Sequence, residues 1–134
     1  MTMGTEHPNV RKIRDALATY NSGDREAMRE FLAPDIRWHV SGDHPLSGDY
    51  EGIEEVLGYF GRVQELTEGS LRIEPTQMLA DDGRASIFMR VTATRADRKL
   101  DVEMAETLLL DEQGRWAEYW ALADDQAAVD AFWS

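Results

Sequence analysis

The sequence predicts an α+β domain. Three observations carry that expectation. Apolar residues recur at intervals of three and four through the first half of the chain. From Ser70 onward the apolar period changes to two. Short turn clusters then divide the second half into four alternating runs.

The elements follow in order. After Pro8-Asn9, the residues Val10, Ile13, Leu17 and Tyr20 lie on one helical face, with Asn9 as the expected N-cap. Asn21-Ser22-Gly23 ends that helix, Gly23 being suited to a left-handed C′ position. Asp24 caps a second, shorter helix carrying Ala27, Met28, Phe31 and Leu32, which Pro34 ends. Ile36 to Val40 alternates as a half-buried strand, and Ser41 to Gly52 reads as a polar loop. Ile53, Val56, Leu57, Phe60 and Val63 define a third helix. Its internal glycines, Gly58 and Gly61, point to close packing against a sheet, or to a hinge.

Four strands complete the pattern: Leu71–Leu79, Ala85–Ala93, Leu100–Leu108 and Trp116–Leu122. Pro75 suggests a bulge or an edge in the first of them. Turns fall at Asp81-Asp82-Gly83, Ala96-Asp97-Arg98 and Asp111-Glu112-Gln113-Gly114, and Asp124 is placed to cap a closing helix with Val129, Phe132 and Trp133. No linker, internal repeat or low-complexity stretch divides the 134 residues, so one domain is expected over 1–134.

Composition narrows the function classes. There is no cysteine, which removes disulfides, thiolate metal sites and a cysteine nucleophile. The 26 acidic residues outnumber the 14 basic ones, for a net charge of −12. That field repels nucleic acid and anionic membranes. No apolar run approaches the ~18 residues of a membrane span, and MTMGTEHPNVRK holds no signal-peptide core. A cytoplasmic protein is expected. No Gly-rich phosphate loop opens a helix after a strand, and no serine elbow is present.

Several segments carry a family likeness. YNSGDREAMREFLAPDIRWHVSG (20–42), HPLSGDYEGIEEVLGYF (44–60) and DEQGRWAEYWALADDQAAVDAFWS (111–134) together resemble the SnoaL-like branch of the nuclear transport factor 2-like superfamily. Ketosteroid isomerases, polyketide cyclases and limonene-type epoxide hydrolases are relatives in that superfamily. The resemblance implies a cone: a curved antiparallel or mixed sheet wrapped around three N-terminal helices, with a short C-terminal helix and an apolar pocket at one end. It also implies a homodimer through the outer sheet face.

On that frame, strand parity turns Ile87, Met89, Val91 and Ala93 inward, with Val102, Met104, Glu106 and Leu108 opposite them. Trp38 and Val40 face inward and His39 outward. The resemblance places Tyr119, Ala121 and Ala123 inward and Trp116, Glu118 and Trp120 outward. A single bulge reverses such an assignment. Trp116 and Trp120, outward beside Phe88 and Arg90, would form an exposed aromatic patch suited to the dimer contact.

Glu106 interrupts an apolar row, and an isolated carboxyl there finds a partner or stays protonated. In the ketosteroid isomerases this position holds the protonated acid of the oxyanion hole. The resemblance also marks departures. The isomerases' proton-abstracting Asp corresponds to Val40 and their helix 1 Tyr to about Ala16. The last-strand Asp of the cyclases and epoxide hydrolases corresponds to Ala121, and the hydrolases' strand 3 Arg and Asp to Met89 and Val91. None of these three catalytic sets is complete.

The expectation is a pocket for a small apolar molecule, with cofactor-free acid/base chemistry: isomerisation, cyclisation or dehydration next to a carbonyl. Glu106 is the expected proton carrier, with Tyr119 or His44 as second group. Trp38, Val40, Tyr20, Phe60, Met89, Val91, Met104 and Ala121 are expected to line the cavity. Met78 is a further candidate, Tyr50 and Tyr59 are further phenols that serve the pocket or the core, and no metal is expected. The alternative reading is a non-catalytic ligand-binding or dimerisation module of the same fold, with Glu106 tied in a structural ion pair.

Overall fold

The computed structural model describes residues 6–134; part of the N-terminal stretch read for a leader, residues 1–5, lies outside them. Helix α1 spans Pro8–Ser22 and is followed by a 3₁₀ turn at Glu26–Phe31. Strands β1 (Leu32–Val40) and β2 (Gly48–Glu51) precede helix α2 (Ile53–Thr67). The chain ends in β3 (Arg72–Ala80), β4 (Arg84–Arg95), β5 (Arg98–Leu110), β6 (Trp116–Ala123) and helix α3 (Gln126–Trp133).

The six strands form one sheet in the order β2-β1-β6-β5-β4-β3. β1 runs parallel to β6 and every other pair is antiparallel, so the sheet is mixed. The sheet curves round α1 and α2, and one buried apolar cluster joins its inner face to both helices and to α3. Ile36, Val56, Ile87 and Leu108 are fully buried at its centre. No helix among the described residues is long and apolar enough to cross a membrane.

The helix ends follow the local chemistry, with changes of actor. Gly23 takes the left-handed conformation at φ 83° and its N–H donates to the Tyr20 carbonyl, as expected. The N-cap of α1 is His7 rather than Asn9: its Nδ1 accepts from the Asn9 N–H, and Pro8 fills the first turn. Asn9 is instead buried and donates to the Asp81 carbonyl. Asp24 accepts from the Ala27 N–H as expected. Asp125, not Asp124, caps α3 by accepting from the Ala128 N–H, while Asp124 accepts from the Glu103 N–H.

Three expectations are corrected. The second helix is a six-residue 3₁₀ turn, and β1 begins at Leu32, running through Pro34. Proline offers no N–H to a ladder, and the β1–β6 register shifts between Leu32 and Arg37 to pass it. The loop 41–52 contains β2, a four-residue strand pairing Tyr50 with Trp38. Gly61 accommodates the Arg25 side chain, not the sheet: a Cβ there would meet Arg25 Nη1, while Gly58 faces open space. Pro75 does lie in an edge strand, beside a register shift between Pro75 and Gln77.

Candidate active site

A cavity of about 100 Å³ lies between the inner sheet face, α1, α2 and α3. The expected proton carriers Glu106, Tyr119 and His44 line it, together with Trp38, Val40, Tyr20, Phe60, Met89, Val91, Met104 and Ala121, whereas Met78 and Tyr50 do not. Ladder registry explains the convergence, since Ile87, Glu106 and Ala121 are successive Cα partners across β4, β5 and β6. Glu106 thus reaches the cavity from the middle of the sheet, and it is 4% exposed.

The walls are strongly aromatic. Trp38 stacks on Tyr119 with ring centroids 3.6 Å apart and on Trp116 at 5.9 Å. Phe60 meets the edges of both Trp38, at 5.1 Å, and Tyr20, at 5.2 Å. Tyr59 packs beside Trp38 and Tyr50. Such rings supply area and fixed geometry with little rotamer entropy to lose.

Trp116 was expected outward and is instead buried at 3% exposure in the cavity wall. The β5–β6 register shifts between Leu109 and Leu110, and the extra residue turns both Trp116 and Tyr119 inward. Trp120 stays outside, where it stacks on His39.

Sequence parity missed the lining residues Gln126, Val129 and Trp133 of α3, whereas Tyr59 on α2, a phenol the sequence offers to the pocket, lines it. Tyr59 follows Val56 by three positions, a helical spacing that carries the available signal. Ala16, where a relative's tyrosine is expected, is buried without a polar group; one turn later Tyr20 brings a phenol from the same face of α1.

The electrostatics centre on Glu106. Burial raises its pKa to about 7, and the nearby Tyr119 hydroxyl offsets part of that rise by favouring the ionised form. Desolvation also raises the phenols of Tyr20, Tyr59 and Tyr119, and the Glu106 charge adds to each rise. All three therefore remain hydrogen-bond donors at neutral pH. No lysine or arginine lines the cavity, and Glu106 forms no ion pair among the described residues.

His44 is held on the cavity rim by its own loop. Its Nδ1 accepts from the Leu46 N–H, which leaves Nε2 to carry the proton of the neutral ring. Burial lowers its pKa; Asp130, the Ser41 carbonyl, which is near the ring but outside hydrogen-bond geometry, and Asp43 oppose that by favouring the charged form. The loop itself is tied to α3, because Asp130 accepts from the Asp43 N–H and from Gln126.

His39 points to the outer face. Its Nδ1 and Nε2 lie 2.7 Å from Asp49 and from Glu118, and these two contacts raise its pKa.

Among the described residues, three buried side-chain atoms lack any hydrogen-bond partner in the protein: Trp38 Nε1, His44 Nε2 and Glu106 Oε1. All three residues line the same cavity. Unsatisfied buried polar atoms are rare, and their collection at one place marks a site rather than scattered packing faults. No cluster of three or more His, Asp or Glu suited to a metal ion occurs among the described residues.

Known proteins share this frame. The chain is 27% identical to Uncharacterized protein Rv0034 of Mycobacterium tuberculosis, over 97% of this chain and 99% of that one. Bal32a, from a soil-derived mobile gene cassette, superposes with a TM-score of 0.88 at 31% identity, covering 94% of this chain and 96% of Bal32a. TerC, solved in co-crystals with polyporic acid, superposes at 0.81 and is 17% identical, over 96% of this chain and all of TerC. The SnoaL-like domain model matches residues 13–119, from the middle of α1 to the tyrosine beside Glu106. The mixed sheet, the aromatic cavity and that match agree, and the chain belongs to the SnoaL-like domain family.

Proposed function

We propose that the protein is a cofactor-free acid/base enzyme acting next to the carbonyl group of a small, mostly apolar molecule. One observation carries the reading: a carboxyl group buried in an aromatic cavity, with Oε1 unpartnered and a pKa of about 7. A carboxyl raised by burial towards neutral pH is suited to take and return protons there.

The chemistry balances with that one group. Ionised Glu106 takes a proton from the carbon beside the carbonyl, and the electron pair moves to the carbonyl oxygen as an enolate. The phenol of Tyr119, with Tyr20 or Tyr59 behind it, donates a hydrogen bond to that oxygen. Protonated Glu106 then returns the proton to another carbon of the conjugated system, giving an isomer. His44, with Nδ1 engaged by Leu46, serves as a donor to the substrate rather than as the base. Co-crystallisation of TerC with polyporic acid supports a small-molecule site in this fold.

We also propose a homodimer through the outer sheet face. Leu79, Phe88, Leu109, Trp120 and Leu122 are exposed there, and the ladder brings Phe88, Ala105 and Leu122 into one row. An apolar patch of this kind on a soluble domain marks an interface.

The test is exchange of α-protons for deuterium in small cyclic ketones, followed by proton NMR in D₂O. The wild-type protein accelerates exchange over buffer, and Glu106→Gln abolishes the acceleration while leaving the fold intact. No acceleration by the wild type, or equal rates in the variant, contradicts the assignment.

A further inference from the structure

The indole of Trp38 has a role that wall-building does not explain. It is 5% exposed, and Nε1–H has no partner in the protein. Its plane is fixed by the Tyr119 ring on β6, stacked at 3.6 Å and 8°, and by the edge of Phe60. The ring therefore cannot turn to find an acceptor without breaking that stack. A buried donor with no acceptor costs stability that an apolar group there would not, so the N–H is accounted for when something in the cavity accepts from it.

His44 repeats the situation from the rim, where Leu46 fixes Nε2 as the protonated nitrogen. The lining thus offers fixed neutral donors and no lysine or arginine, and the imidazole of His39, also at the lining, is taken up by Asp49 and Glu118. A carboxylate or phosphate entering it would be desolvated without a counter-charge.

We propose that Trp38 Nε1–H is a ligand-binding donor and that, with His44 Nε2–H, it selects an uncharged ligand carrying at least two acceptor oxygens. This rests on the acid/base reading of the cavity and adds to it. Glu106 and the phenols serve the oxygen next to the reacting carbon. Trp38 holds a second oxygen and so sets which carbon faces Glu106. Trp38 is a specificity-determining residue in this scheme, not a proton carrier.

The experiment uses four ring compounds of similar size: 1,4-cyclohexanedione, cyclohexanone, methylcyclohexane and cyclohexanecarboxylate. Each is titrated into ¹⁵N-labelled protein, and binding is followed at the indole N–H resonances of the four tryptophans. The dione is expected to bind about 3- to 10-fold more tightly than methylcyclohexane, as one or two neutral hydrogen bonds would give. It shifts one indole resonance strongly, the one missing from Trp38→Phe. In Trp38→Phe the dione loses that advantage, so that the ratio of the two affinities falls to about one whatever the change in apolar binding common to both. The carboxylate does not bind.

Should Trp38→Phe fail to fold, Trp116→Phe, Trp120→Phe and Trp133→Phe assign the shifted resonance by elimination. A dione that binds no better than methylcyclohexane, or not at all, overturns the inference. So does an unchanged preference in Trp38→Phe, or a shifted indole belonging to another tryptophan. Failure of the acid/base reading looks different. There the dione preference and the Trp38 shift persist in wild type and in Glu106→Gln, but no α-proton exchange occurs.

Discussion

Trp38 and Tyr119 are Cα partners across the parallel β1–β6 ladder, and their rings stack with centroids 3.6 Å apart and planes 8° apart. The contact joins the first and last strands of the sequence at the cavity wall. It also fixes the phenol that approaches Glu106. Two substitutions separate these roles. Tyr119→Phe keeps the stack and removes the hydroxyl, so the Glu106 pKa rises further, because the group favouring its ionised form is gone. Tyr119→Ala removes the ring and costs about 3–5 kcal/mol in denaturant unfolding. An unchanged Glu106 titration in Tyr119→Phe would separate the phenol from the carboxyl.

The Glu106 pKa makes stability depend on pH with a definite sign. Burial raises it from 4.5 to about 7 in the folded state. The folded protein therefore holds this proton more tightly than the unfolded chain. The contribution is fully present below about pH 4.5, and it is lost as pH rises towards and through 7, by roughly 3 kcal/mol in all. Glu106→Gln removes that slope and is expected to unfold at higher denaturant than wild type at pH 8. Parallel stability curves for the two proteins between pH 5 and pH 8 would refute this.

The two histidines flanking the β1 end titrate in opposite directions. His39, contacted by Asp49 and Glu118, is raised above its usual 6.5, and buried His44 is lowered below it. Ring-proton NMR should show His44 losing its charge at lower pH than His39. The His39 contribution to stability is present below 6.5 and lost as pH rises through its raised folded value. Asp49→Asn brings the His39 titration down towards normal and leaves His44 in place. A reversed order of the two would contradict the geometry of both.

The outer sheet patch gives a prediction about assembly. Leu122 is 74% exposed, so Leu122→Asp leaves the monomer's core untouched. Sedimentation equilibrium should find wild type at about twice the 15.2 kDa chain mass and the variant at the chain mass. A wild-type monomer at micromolar concentration would remove the dimer proposal and leave the cavity argument unaffected.

Period and punctuation made most of this architecture legible. The switch from helical spacing to alternation at Ser70 placed β3 to β6 within a few residues, and Gly23 stopped α1 where its φ requires. Glu106 stood out because a charge in an alternating apolar row has no inexpensive place to go. The misreadings share a cause, since local pattern does not report register. Trp116 faces inward because one residue is gained in the β5–β6 ladder. β2 is not legible because a four-residue strand that itself begins at Gly48 carries too little alternation. β1 begins at Leu32 rather than at Ile36 because Pro34, expected to end a helix, lies within the strand, where the ladder shifts around it. The α3 lining residues depend on how that helix docks on the sheet, which spacing along the chain does not encode.

The account depends most on the state of one carboxyl group. Its direct measurement is a ¹³C titration of protein labelled at the glutamate side-chain carboxyl, with the Glu106 signal assigned by its absence from Glu106→Gln. A midpoint near 7 is expected, well apart from the exposed glutamates. A midpoint near the ordinary 4.5 would mean a carboxyl that is fully ionised at neutral pH and paired or solvated. That result would contradict the proton-carrying role on which the proposed chemistry rests.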